Sequence, residues 1–160
     1  MKLHGVRSTR LVAVALIAVV LRAGLAWTDE SETPAALKAR LARLDKGPKT
    51  IDVSKYPAEM QAGYGLFAKK CVKCHTLARP INSSFVLPGE WERYIKRMVY
   101  KPDSKMSDDD GRAIYRFMVY DASVRKADSL RVHLAGLPAA EREAAVAKIK
   151  ALNPAFAPDK

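Results

Sequence analysis

The chain has 160 residues, two cysteines, three histidines and a formal charge of +11. That length holds one small domain with tails, and two Cys with three His do not supply the paired four-ligand pattern of a structural zinc site. No alternating strand pattern, internal repeat or low-complexity tract is present, so the expectation is an all-α protein.

The N-terminus opens with Lys2, Arg7 and Arg10, continues as the unbroken apolar run Leu11 to Leu21, and reaches Gly24-Leu25-Ala26. A basic start, a short apolar stretch and a small-x-small site form the three-part pattern of a secretory signal peptide. Residues 1–26 are expected to be cleaved before Trp27, sending the protein to the periplasm. An uncleaved anchor is the alternative, although the run is shorter than the ~20 apolar residues a span requires. His4 would leave with the leader. Loss of Lys2, Arg7, Arg10 and Arg22 would lower the charge from +11 to +7. A basic exported protein meets acidic proteins or anionic surfaces rather than nucleic acid.

Residues 31–46 read as a short helix, with Leu37, Leu41 and Leu44 on one stripe and Gly47-Pro48 as its stop. This stripe packs on a core or braces the domain surface. Pro57 opens a second helix, at a position proline tolerates, running to Lys70 with Met60, Tyr64, Phe67 and Cys71 on its inward face. Gly63 and Gly65 weaken that helix by about 1 kcal/mol each relative to Ala, a cost that a close helix crossing would justify. Residues 77–89 carry Pro80, Asn82, Ser83, Ser84, Pro88 and Gly89 and read as a loop. Residues 90–101 form a helix with Trp91, Tyr94, Ile95 and Met98 along one side. Ser107, followed by Asp108, Asp109 and Asp110, caps a further helix that reaches about Ala122, with Ile114, Phe117 and Met118 inside. Residues 125–136 are a linker or a continuation. Pro138 to Leu152 is a final amphipathic helix, ended by Asn153-Pro154.

One segment names a chemistry. Cys71-Val72-Lys73-Cys74-His75 has the spacing that attaches a c-type haem. On a helical turn, positions i, i+3 and i+4 share a face. Cys71 and Cys74 would form thioethers with the two vinyl groups, and His75 would hold the iron axially. A thioredoxin-like redox site would require a βαβ pattern near the cysteines, which is lacking. A disulfide across this short turn is geometrically awkward. A haem would supply apolar interior to a region too small to build much of its own, and the chain without it is expected to be poorly folded.

Tyr64 to Leu77, then Trp91 and Tyr94 to Met98, then Ala113 to Met118 together resemble a small monohaem c-type cytochrome of the class I kind. The resemblance implies a cytochrome c-like domain over 50–126, with three core helices around one covalent haem. Residues 27–49 and 127–160 would be flanking helical extensions. It also implies His–Met ligation and single-electron transfer. Met98, on the face of Trp91, Tyr94 and Ile95, is the expected sixth ligand. Met106, in the loop before the last core helix, competes with it. Met60 and Met118 sit on core stripes, and His133 is a tail histidine and a distant candidate. A metal-bound His usually donates its other N–H to a carbonyl, and the loop at Pro80 or Pro88 is the expected source.

The expected function is a periplasmic single-electron carrier, not an enzyme, using haem c cycling between Fe(III) and Fe(II). Lys69, Lys70, Lys73, Arg79, Arg93, Lys96 and Arg97 would steer redox partners with an acidic docking surface. Solvated helix faces explain the same residues equally well. Membrane contact would come only through a partner or an uncleaved leader. Alternatives are a haem subunit of a larger respiratory oxidoreductase complex and, with an open iron site, a gas sensor or peroxidase.

Overall fold

The computed structural model describes residues 32–159, so the leader expected over 1–26 lies outside the described residues. Chain contacts divide at Pro34, and the unit Ala35–Lys160 holds the motif. Among the described residues the fold is all-α, with seven helices and no strand: α1 Pro34–Asp45, α2 Ala58–Cys71, α3 Ala78–Ile81, α4 Pro88–Val99, α5 Asp108–Arg125, α6 Ala127–Ala135 and α7 Ala139–Lys150. No described helix is long and apolar enough to cross a membrane.

Local chemistry accounts for the helix ends. Ser107 Oγ accepts from the Asp110 amide, and the Asp110 carboxylate accepts from the Ser107 amide, a reciprocal cap that satisfies two otherwise orphaned donors. Acidic residues in that first turn also suit the positive helix end. Helix α4 starts at Pro88 rather than Glu90. Pro88 occupies the first turn, where no intrahelical N–H is required, and the Glu90 carboxylate accepts from the amides of Val86 and Leu87 at 2.9 and 2.8 Å.

Helix α5 is the hub and touches α2, α4, α6 and α7. Two glycines permit its closest crossings. A Cβ on Gly63 would lie 2.8 Å from Phe117 Cβ and 3.0 Å from the Ala113 carbonyl, and one on Gly111 would lie 2.6 Å from Val99 Cγ2. Gly63 therefore marks a helix crossing, whereas nothing lies within 4 Å of a Cβ on Gly65. Phe67 and Phe117 stack across the α2–α5 seam at 5.8 Å, and Tyr64 meets Phe117 at 5.4 Å.

The C-terminal helices belong to the same core. Leu130, Leu134, Ile149 and Phe156 are buried with Trp91, Ile114 and Phe117. The stretch 125–136, open between linker and helix in the sequence, is helix α6, and Leu130 and Leu134 bury one of its faces. The expected loop over 77–89 contains the single helical turn α3. Asp121 is a buried carboxylate near the end of α5, accepting from Tyr56 Oη at 3.0 Å and from Arg125 Nη2 at 2.7 Å. Helix α1 differs from the rest. It buries no residue fully, and among the described residues it packs along no other helix, so its half-buried Leu41 and Leu44 brace the surface rather than fill the core.

Candidate functional site

The motif sits where α2 ends. Cys71 is the last helical residue, Val72 to Cys74 form a turn and His75 a bend, so the five residues leave the regular helix instead of riding on it. Cys71 faces inward and is buried, Cys74 is exposed, and both thiols are free. Burial pushes the Cys71 thiol up to about 11, because a thiolate is poorly solvated there.

His75 is half-buried and bonded at both ring nitrogens. Nδ1 lies 2.9 Å from the carbonyl oxygen of Thr76. A carbonyl only accepts, so Nδ1 carries the proton of the neutral ring and Nε2 keeps its lone pair. The acceptor is thus the residue next to His75, not the Pro80 or Pro88 loop; the Pro80 carbonyl instead receives Ser83 Oγ at 2.9 Å. Nε2 meets the Tyr94 hydroxyl of α4 at 3.2 Å. Burial, followed by the nearby Cys71, raises Tyr94 well above its ordinary value, so the phenol stays protonated and donates to the imidazole.

Tyr94 belongs to an aromatic wall. Phe85, Trp91 and Tyr94 pack edge-to-face with centroids 5.6 to 5.9 Å apart, the arrangement the ring quadrupoles favour. Trp91 is 1% exposed, and its Nε1–H has no hydrogen-bond partner among the described residues. A buried donor without an acceptor costs about 1–3 kcal/mol, so this indole N–H calls for an acceptor beside the wall.

The two methionines each have one link to this site. Met98 is half-buried, one turn along α4 from Tyr94. Met106 is half-buried and packs on the core; its loop is tied to the end of α2 by Lys70 Nζ, which donates to the Lys105 carbonyl at 3.2 Å. Asp103 and Lys105 in that loop adopt φ of 63° and 52°, a left-handed conformation uncommon outside glycine. His133 sits on α6 with Nδ1 bonded to the Ser129 carbonyl at 2.7 Å.

Two of the seven cations expected to face a partner are engaged inside the protein. Lys70 pairs with Asp110 at 2.7 Å and Arg79 with Asp45 at 2.6 Å. Arg97 lies over the Tyr94 ring at 5.6 Å. Lys69, Lys73, Arg93 and Lys96 are exposed.

The contacts that Asp45, Thr76, Arg79 and Asn82 make around the motif were not legible in the sequence. Thr76 Oγ1 donates to Asp45 at 2.6 Å, Arg79 reaches both oxygens of the same carboxylate, and Asn82 Nδ2 donates to the carbonyls of Leu44 and Pro48, each at 3.1 Å. The hydrogen bonds from Arg79 and Thr76 hold the Asp45 carboxyl down at about 2. No local pattern joins positions some thirty residues apart.

No protein-family model, curated protein or solved structure matches this chain. A groove of about 500 Å³ runs between α4, α5 and α7, floored by Ile95, Val99 and Leu152, and a smaller one borders Pro88 and Ala145. Among the described residues no three His, Cys, Asp or Glu side chains gather to hold a bare metal ion. The motif offers two free thiols, one buried and one exposed, and one imidazole whose Nε2 is engaged by Tyr94.

Proposed function

We propose that this protein is an exported single-electron carrier that holds one covalent c-type haem on Cys71, Cys74 and His75. The observation that carries the reading is the His75 ring: the Thr76 carbonyl fixes the proton on Nδ1, leaving the Nε2 lone pair turned toward α4. Axial ligation requires that tautomer. A c-type haem supplies a one-electron Fe(III)/Fe(II) couple when bound. Cys71 and Cys74 would tether it by thioethers, and His75 Nε2 would hold the iron once the imidazole and the Tyr94 hydroxyl part. Met98 on α4 would hold the iron as well, with Met106 its competitor. The aromatic wall of Phe85, Trp91 and Tyr94 would exclude water from the group, and the Trp91 N–H would offer it a hydrogen bond. The cytochrome c-like fold belongs to this same reading.

With the iron held by both His75 and a methionine, the chain would transform no substrate. Its exposed cations at Lys69, Lys73, Arg93 and Lys96 favour acidic redox partners, so transfer rates should fall as salt rises. Cleavage of the leader would give a mature protein beginning at Trp27 in the periplasm.

The test is spectroscopic. Protein matured with haem-attachment machinery should retain haem after denaturation. It should show a sharp low-spin reduced spectrum, a Met–Fe(III) charge-transfer band and no shift with carbon monoxide. Met98→Ala should abolish that band while Met106→Ala keeps it; the reverse result moves the ligand to Met106. Absence of covalent haem overturns the reading, and a high-spin form that shifts with carbon monoxide replaces it with a sensor or enzyme.

A further inference from the structure

We infer that Asp45 at the end of α1 is a positioning residue for His75, acting through Thr76, and that α1 is a strap for the motif. The inference rests on the proposed haem ligation for its redox consequence, but its geometric core is independent of it.

Helix α1 buries no residue fully, with Leu41 and Leu44 half-buried, and among the described residues it packs along no other helix. Its C-terminal end is nevertheless fastened to the segment that follows the motif. Asp45 Oδ1 accepts from Thr76 Oγ1 at 2.6 Å and from Arg79 Nε at 3.2 Å, and Oδ2 accepts from Arg79 Nη2 at 2.6 Å. Asn82 donates to the carbonyls of Leu44 and Pro48. The fit at Gly47 is tight, since a Cβ there would fall 2.3 Å from Asn82 Nδ2. Charge-assisted bonds of this kind are shorter and stronger than neutral ones.

Thr76 links the two ends of the device. Its side chain is held by Asp45, and its carbonyl oxygen receives His75 Nδ1–H at 2.9 Å. Fixing the hydroxyl fixes the peptide unit, and the peptide unit fixes the imidazole tautomer and ring plane. A firm Nδ1–H bond makes Nε2 a better donor, which favours Fe(III). Loosening the strap should therefore raise the reduction potential. Asp45→Ala adds a second effect of the same sign, because it removes a negative charge near the site. Thr76→Val cuts the link without altering charge, and Thr76→Ser preserves it.

The experiment has two readouts on the full chain. In haem-free protein at fixed pH, first shown by circular dichroism to hold its helical fold, long-range 1H–15N spectra should show His75 in the single Nδ1–H tautomer for the wild type and Thr76→Ser, and a mixture for Thr76→Val and Asp45→Ala; where the haem-free chain is unfolded, the holo-protein potential decides. In holo-protein the potential should shift upward for Thr76→Val and Asp45→Ala and remain at the wild-type value for Thr76→Ser. Asp128→Asn, the same charge change on an exposed α6 residue, should leave both readouts unmoved. Should Asp45→Ala fail to fold, the two Thr76 variants decide. Wild-type tautomer in Thr76→Val overturns the inference even if the protein is a haem carrier. An unmoved potential in a haem-loaded Thr76→Val overturns its redox consequence. A wild type that takes up no haem overturns the proposed function, and the tautomer alone then decides the strap.

Discussion

Gly63 and Gly65 lie on the same helix, two residues apart, and the same substitution at each should have opposite effects. At Gly65 nothing lies within 4 Å of an added Cβ, so Gly65→Ala should stabilise by the helix-propensity gain of about 1 kcal/mol. At Gly63 the added Cβ meets Phe117 Cβ at 2.8 Å and the Ala113 carbonyl at 3.0 Å, against an ordinary carbon–carbon separation of about 3.5–4.0 Å. Both obstacles sit on the α5 backbone or directly beside it, so the helices must separate by roughly 0.5–1 Å, which forfeits about a quarter to a half of the dispersion across the seam. That seam includes the Tyr64–Phe117 and Phe67–Phe117 ring pairs. Overpacking of this kind costs about 1–3 kcal/mol. Less the propensity gain, Gly63→Ala should lose up to about 2 kcal/mol. The two variants should then differ by the overpacking cost itself, about 1–3 kcal/mol, or about 4–12 °C in Tm for a domain of this size. Urea and thermal unfolding followed by circular dichroism measure this directly. If both substitutions raise the midpoint equally, the close α2–α5 crossing is wrong, and with it the placement of Cys71 at the end of a helix clamped by α5.

Asp121→Ala should cost about 1–3 kcal/mol, because it strips Tyr56 and the partly exposed Arg125 of a buried acceptor; a loss under about 0.5 kcal/mol in urea unfolding, as for an ordinary surface change, would contradict this. Lys126 donates to the carbonyls of Ser83 and Phe85 at 2.7 and 3.4 Å, and burial lowers its pKa to about 8. Between that value and the ordinary 10.5 the unfolded chain holds a proton the folded chain has shed, so stability should climb with pH, by on the order of 1–2 kcal/mol from pH 8 to 9.5. Lys126→Met should flatten that climb; an equally steep curve in the variant would assign it to another group. In haem-free protein the exposed Cys74 should be alkylated at pH 8 at least about tenfold faster than the buried Cys71, whose thiol is raised to about 11. Equal rates by peptide mass mapping would mean that Cys71 is open to solvent.

Sequence alone determined what depends on neighbours along the chain. The apolar stripes on α2, α4 and α5, the Ser107 cap and the proline and glycine stops are all effects of residues within a turn or two, and they gave those helices to within a few residues at their ends. The Cys71-Val72-Lys73-Cys74-His75 spacing is likewise local, and the proposed site and its chemistry come from it without any fold. The tertiary structure decided what depends on residues far apart in sequence. It showed that Gly63 faces a helix and Gly65 faces space, although the two look alike in the chain. It made α6 and α7 part of the core through Leu130, Leu134 and Ile149, where periodicity had left 125–136 undecided. It gave the His75 proton to the Thr76 carbonyl and tied Asp45 to Thr76. Hydrogen bonds of this sort leave no periodic signature, because a carboxylate thirty residues away is recruited by packing and geometry rather than by spacing.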